Sequence, residues 1–217
     1  MNIALKQSVL AALLLTLVSY PAWGQGTFQN LDFEQANVPD VPAGEVGSNV
    51  RVADGVPGWT VYLGGNQQST MFHNNMSLGA AEVAIDGPAW YSSQILEGRY
   101  TVSLQPSTAG PPTSAAIGQT AEVPMGAESL TFFGRGSFMV SFAGQSVPLV
   151  TVGGTAAYTV FGADITAIAG HTGELRFQGG GLLDAIQFSA QAIPEPGGFG
   201  LWALGGLLIG CRVVQRR

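Results

Sequence analysis

From residue 25 to residue 190 the chain alternates apolar and polar residues in short runs and nowhere keeps a helical period. Period-two alternation marks a half-buried strand, because successive side chains point to opposite faces. The runs fall at 28–34, 59–63 (WTVYL), 82–85 (EVAI), 99–104, 116–123, 129–133, 138–143, 147–152, 157–161, 174–178 and 183–189. Many are rich in Val, Phe, Thr and Tyr, and Gly, Pro, Asn or Ser occupies nearly every gap. A parallel α/β sheet would need crossover helices of about a dozen residues, and the gaps leave no room for them. The expected fold is therefore all-β: one antiparallel β-sandwich, jelly-roll-like, over residues 25–190. Only 164–170 (DITAIAG) reads as a helical turn, while 37–49 and 109–114 read as loops. No repeat of fixed period is present.

Of the 217 residues, 46% are hydrophobic, enough for a packed core. Residues 25–192 hold 13 acids, four arginines and no lysine, a net charge of −9. Such a field repels nucleic acid and anionic lipid but tolerates divalent cations and neutral partners. No basic stripe with interleaved aromatics occurs, so a nucleic-acid partner is not expected. The single cysteine, Cys211, lies in the C-terminal tail. The central domain therefore has no disulfide and relies on its core, its ladders or a bound metal.

Both ends differ from the middle. Lys6 precedes a short apolar stretch, 8–18, and Ala22-Trp23-Gly24 supplies small residues before Gln25. This is the pattern of a secretory signal peptide over 1–24, cut between Gly24 and Gln25. The apolar stretch is shorter than the roughly 20 residues of a spanning helix. At the other end, Pro194-Glu195-Pro196 excludes strand or helix interior, because proline fixes φ and lacks an N–H. An apolar run over 199–214, interrupted by Arg212, and then Arg216 and Arg217 close the chain. Arg212 can snorkel, and the positive-inside rule puts this end in the cytoplasm. At 16 residues the run is marginal as a permanent anchor and suits transient retention.

The order signal peptide, Pro-Glu-Pro, short apolar helix and terminal arginines resembles the PEP-CTERM sorting signal of Gram-negative bacteria. The resemblance covers residues 191–217 and implies handling by an exosortase-type membrane peptidase. It implies transient inner-membrane anchoring, cutting near Pro194-Glu195-Pro196, and delivery to the cell surface or the extracellular space. Proteins of this kind are typical of bacteria that make exopolysaccharide.

Catalytic patterns are scarce. His73 and His171 are far apart in sequence, and neither HExxH nor CxxC occurs. Gly134-Arg135-Gly136 is followed by Met139 where a dinucleotide fingerprint needs glycine. Residues 144–148 (GQSVP) lack the last glycine of a nucleophile elbow. Paired carboxylates for glycan hydrolysis depend on spatial separation, which sequence does not supply.

One constellation of acids stands out. In 30–34 (NLDFE), alternation puts Asp32 and Glu34 on one face and Leu31 and Phe33 on the other. In 183–188 (LDAIQF), Asp184 shares a face with Ile186 and Phe188, and a carboxylate so placed needs a partner. Asn30-Leu31-Asp32-Phe33-Glu34, Leu183-Asp184-Ala185-Ile186 and Pro57-Gly58-Trp59 together resemble carbohydrate-binding-module-like, galactose-binding-like β-sandwiches. That resemblance implies a structural calcium held by Glu34 and Asp184, with Asp32 as a third ligand. Ala185 departs from it, standing where relatives often have a second acid or Asn. For sugar stacking the candidates are Tyr62, Trp90, Tyr91, Phe72 and His73, whereas Trp59 alternates with Val61 and Leu63 and belongs to the core. The expected function is non-catalytic: an exported surface or matrix protein that binds exopolysaccharide. A secreted glycan-active enzyme and a structural coat protein without a ligand are the alternatives.

Overall fold

The computed structural model describes residues 27–88 and 92–193. The segments expected to be a signal peptide (1–24) and a sorting tail with Pro194, Glu195 and Pro196, and also Trp90 and Tyr91, lie outside the described residues.

The described chain is nearly all β. Its strands are β1 (Asn49–Arg51), β2 (Thr60–Leu63), β3 (Asn66–Gln68), β4 (Thr70–His73), β5 (Glu82–Asp86), β6 (Thr101–Gln105), β7 (Ala115–Glu122), β8 (Ser129–Phe142), β9 (Gln145–Val147), β10 (Val150–Gly154), β11 (Thr159–Asp164) and β12 (Thr172–Ser189). A four-residue helix, α1 (Val52–Gly55), and 3-10 turns at Ser92–Gln94 and Thr166–Ile168 complete the elements. The second turn falls where DITAIAG reads as helical. Among the described residues no helix is long and apolar enough to cross a membrane.

The strands form a single hydrogen-bonded sheet in the order β1-β4-β5-β6-β12-β7-β2-β3. Along its other edge β12 pairs with β8, which in turn carries β11 and β9, and β11 carries β10. All of these pairs are antiparallel except β4 with β5.

Two long strands organise the sheet, and each joins two shorter expected ones. The runs 129–133 and 138–143 belong to β8, and 174–178 and 183–189 belong to β12. Their glycines do not turn the chain. They lie where the two strands face each other, Gly181 opposite Gly136. A Cβ on Gly181, at φ +142°, would sit 2.2 Å from the Arg135 carbonyl oxygen. Here β12 also changes partner along one edge, from β7, ending at Gln178, to β6, starting at Gly181.

The expected strand at 28–34 is instead a run of turns. Asn30 and Phe33 have φ of +51° and +59°. Asn30 locks the bend, its Oδ1 accepting from Gln35 N–H at 3.0 Å and its Nδ2 donating to the Pro57 carbonyl at 3.1 Å. The alternation survives without a strand, since Leu31 and Phe33 are buried and Asp32 is exposed. Phe33 pays for its unusual φ by packing 5.7 Å from Trp59, whose Nε1 donates to the Asn30 carbonyl at 2.9 Å.

The core runs between inward residues of β12, β8, β7 and β6, including Phe177, Phe132, Ile117 and Val102. Phe132 touches Phe138, Phe161 and Phe177 at ring distances of 5.5, 5.1 and 5.2 Å. Trp59 continues the chain of rings, 6.1 Å from Phe177. Trp59 is thus a core residue, as its alternation indicates.

Candidate functional site

Residues 82–86 read Glu-Val-Ala-Ile-Asp. In β5, Val83 and Ile85 enter the core, so Glu82, Ala84 and Asp86 face the other way. The ladders extend that second face across the sheet. Glu82, Ala84 and Asp86 lie opposite Gln105, Ser103 and Thr101 of β6. Ser103 lies opposite Leu182 of β12, and Leu182 opposite Arg135 of β8. The segment after β5 brings Gln94 back over this face, where its Oε1 accepts from Arg135 Nη2 at 3.0 Å.

A groove of about 380 Å³ results, lined by Glu82, Asp86, Gln94, Ser103, Gln105 and Arg135, with Gly180 and Gly181 on its β12 side. Most of its polar groups are already committed. Glu82 accepts from the Ser77 N–H. Gln105 Nε2 donates to Ser77 Oγ at 2.9 Å and to the Ala80 carbonyl at 3.0 Å. Asp86 differs, for it is 2% exposed and has no hydrogen-bond partner among the described residues. Burial, and secondarily the charge of Glu82, pushes its carboxyl up to about 7. Burial also raises Glu82, against the donor from Ser77.

The acids singled out in the sequence converge on a different feature, the loop entering β6. Glu34 Oε1 accepts from the N–H groups of Arg99 and Tyr100 at 2.7 and 3.0 Å. Asp184, fully buried, accepts from Thr101 Oγ1 at 2.5 Å, from Glu97 N–H at 3.2 Å and from Ala185 N–H at 2.8 Å. Burial lifts Asp184 to about 7, opposed first by the Thr101 hydroxyl. Asp32 is exposed, and its Oδ1 accepts from Glu34 N–H at 3.3 Å. Glu34 and Asp184 therefore clamp one loop from two sides. Among the described residues no three His, Cys, Asp or Glu side chains are grouped to hold a metal ion. Backbone N–H donors occupy Glu34 Oε1 and both oxygens of Asp184. Ala185, the residue that departs from the resemblance, sits at φ +46° in the β12 bulge between Asp184 and Gln187.

The aromatic candidates fare differently. Tyr62 is half-buried; its hydroxyl donates to Glu174 Oε1 at 2.7 Å and the Arg176 guanidinium lies 3.9 Å from its ring centre. One ring face is thereby covered by protein. His73 is buried, and burial lowers its pKa. Tyr62 lines no part of the groove on β5, and neither do Asp32, Glu34 and Asp184. Sequence reasoning passed over Glu82, Asp86 and Arg135. The two acids carried a signal: in 82–86 they alternate with Val83 and Ile85, as a strand with one polar face requires. Arg135 carried none, because its position beside them depends on strand order.

No family model and no curated protein matches the chain. Among solved structures it is similar to the apo form of a cyclase from Fischerella sp., with 14% identity and a TM-score of 0.40, over 75% of this chain and 94% of that one. A likeness at that level decides neither fold nor chemistry.

Proposed function

We propose that the protein is an exported, non-catalytic surface or matrix protein whose β domain binds extracellular polysaccharide in the groove on β5, β6 and β12. The observation that carries this reading is the groove itself: about 380 Å³, open, and lined by carboxylate, amide, hydroxyl and guanidinium groups on one sheet face. Sugar hydroxyls need such a mixture of donors and acceptors. The acidic, lysine-free domain agrees with a neutral or cationic glycan rather than nucleic acid. In the same reading the curled sheet is a jelly-roll-like sandwich. Its support is the contact of β5 with β2 and β7, to which it is not hydrogen-bonded.

Delivery belongs to the termini. The signal peptide exports the chain, and the tail holds it transiently in the inner membrane until an exosortase-type peptidase acts near Pro194-Glu195-Pro196. Replacing those three residues by alanine should leave the precursor in the membrane fraction, read by immunoblot. Normal processing of that variant would remove the sorting reading.

For binding, the purified full-length chain is sedimented with the producing organism's exopolysaccharide. Saturable co-sedimentation that weakens with Arg135→Ala and Gln94→Ala is expected. Its absence would favour a coat protein without a ligand. The pair Glu82 and Asp86 favours one second reading, a glycan-active enzyme, since two carboxylates in a groove are the minimum for glycoside hydrolysis. New reducing ends in the same incubation would select it.

A further inference from the structure

We propose that the groove recognises a glycan bearing a free amino group, and that Asp86 receives the ammonium. This deepens the polysaccharide reading and rests on it. Asp86 is 2% exposed, lines the groove and has no hydrogen-bond partner among the described residues. Its carboxylate oxygens are not among the atoms sealed from solvent without a partner, so they open on the groove, where a donor on a ligand can take the place of water.

The neighbours do not supply the donor. The Thr101 hydroxyl, directly across the ladder, is given to Asp184. The Gln105 amide is held by Ser77 and Ala80. Arg135, the groove's guanidinium, is directed to Gln94, and no ion pair joins it to Asp86. Glu82, on the same face of β5, adds a second negative charge and acts on Asp86 through space. Two acids on one wall, one of them without a hydrogen-bond partner among the described residues, favour a ligand that is both a cation and a hydrogen-bond donor, since a cation favours their ionised forms. Among the described residues no three His, Cys, Asp or Glu side chains are grouped here. A primary ammonium needs only a few acceptors, and Asp86 can take one of its three N–H donors while Glu82 adds negative charge on the same strand. On a sugar ring it would arrive with hydroxyls suited to Ser103 and Gln94.

The test measures affinity of the full-length chain for three oligosaccharides of equal length: glucosamine, N-acetylglucosamine and glucose. Glucosamine oligomers should bind at least about tenfold more tightly than the acetylated form, the scale of one charge-assisted contact. Asp86→Asn should abolish that preference by weakening the glucosamine oligomer to the level of the acetylated one. Glu82→Gln should reduce the preference and serves as the second variant if Asp86→Asn misfolds. Glu45→Gln, an exposed acid away from the groove, removes the same charge and should change nothing, which separates the site from general attraction to an acidic surface. Equal affinities for the amino and acetylated oligomers, or a preference that survives in both groove variants, would overturn the inference and leave the polysaccharide reading standing. Failure of all three oligomers to bind would overturn it too, while co-sedimentation with exopolysaccharide would still decide the broader reading.

Discussion

Thr101 stands between two buried carboxylates. Its hydroxyl donates to Asp184 and accepts from Leu96 N–H at 3.0 Å, while Asp86 lies opposite it on β5. Thr101→Val keeps the shape and removes both bonds. It should destabilise the domain by about 1–3 kcal/mol, measured by urea unfolding, because the Leu96 N–H loses its acceptor and buried Asp184 loses the shortest of its three donors. Asp86 and Asp184 make stability depend on pH with an unusual sign. Burial lifts both carboxyls to about 7 in the folded state, against 3.8 for an ordinary aspartate. Between those values the folded state keeps a proton that the unfolded state has released, so stability falls as pH rises from about 4 to about 7. The effect is of order 4 kcal/mol for each group. Asp86→Asn should raise the melting temperature at pH 8, change it little at pH 4, and flatten the profile between. A wild-type profile flat over that window would contradict the burial argument.

At the scale of elements, the crossing of β8 and β12 is the feature least tolerant of change. Gly136, Gly179 and Gly181 have φ of +143°, +159° and +142°, and a Cβ on any of them would press on a backbone carbonyl of the facing strand. Gly181→Ala should cost upwards of about 3 kcal/mol in chemical unfolding, because backbone cannot withdraw as a flexible side chain can. Alternation made most strands legible: β2, β5, β6, β7 and β11 lie within one to three residues of their expected places at each end. Three kinds of element escaped it. The three-residue strands β1 and β3 hold too few residues to show a period, and β4 (TMFH) sets two apolar residues side by side instead of alternating. The long strands looked broken, since a glycine at a close crossing reads like a glycine in a turn. The first segment kept a strand's alternation while Asn30 folded it into turns.

For the whole molecule, the buried cluster from Phe28 to Phe188 lies within residues 27–193. That stretch, without either terminal segment, should unfold in one cooperative transition, with fluorescence from the Trp59 environment and far-UV circular dichroism coinciding. Separate transitions would mean that the core needs more chain than this. The same scale separates two kinds of acid. Glu34 and Asp184, visible as a motif, meet at the loop entering β6 and hold its backbone. Glu82 and Asp86 looked like an ordinary strand, yet they line the groove.

By itself the sequence determined the all-β character, the inward faces, the place of Trp59 in the core and the acidic, disulfide-free character of the domain. Each of these follows from local periodicity or from composition. Only the tertiary structure decided that Asp86 is buried without a hydrogen-bond partner among the described residues and that Arg135 comes to its face of the sheet. It also decided that Glu34 and Asp184 clamp a loop. Those facts depend on which strands become neighbours and in what register. Strand order and register are set by packing between residues as distant in sequence as Glu97 and Asp184, to which a period-two pattern is blind.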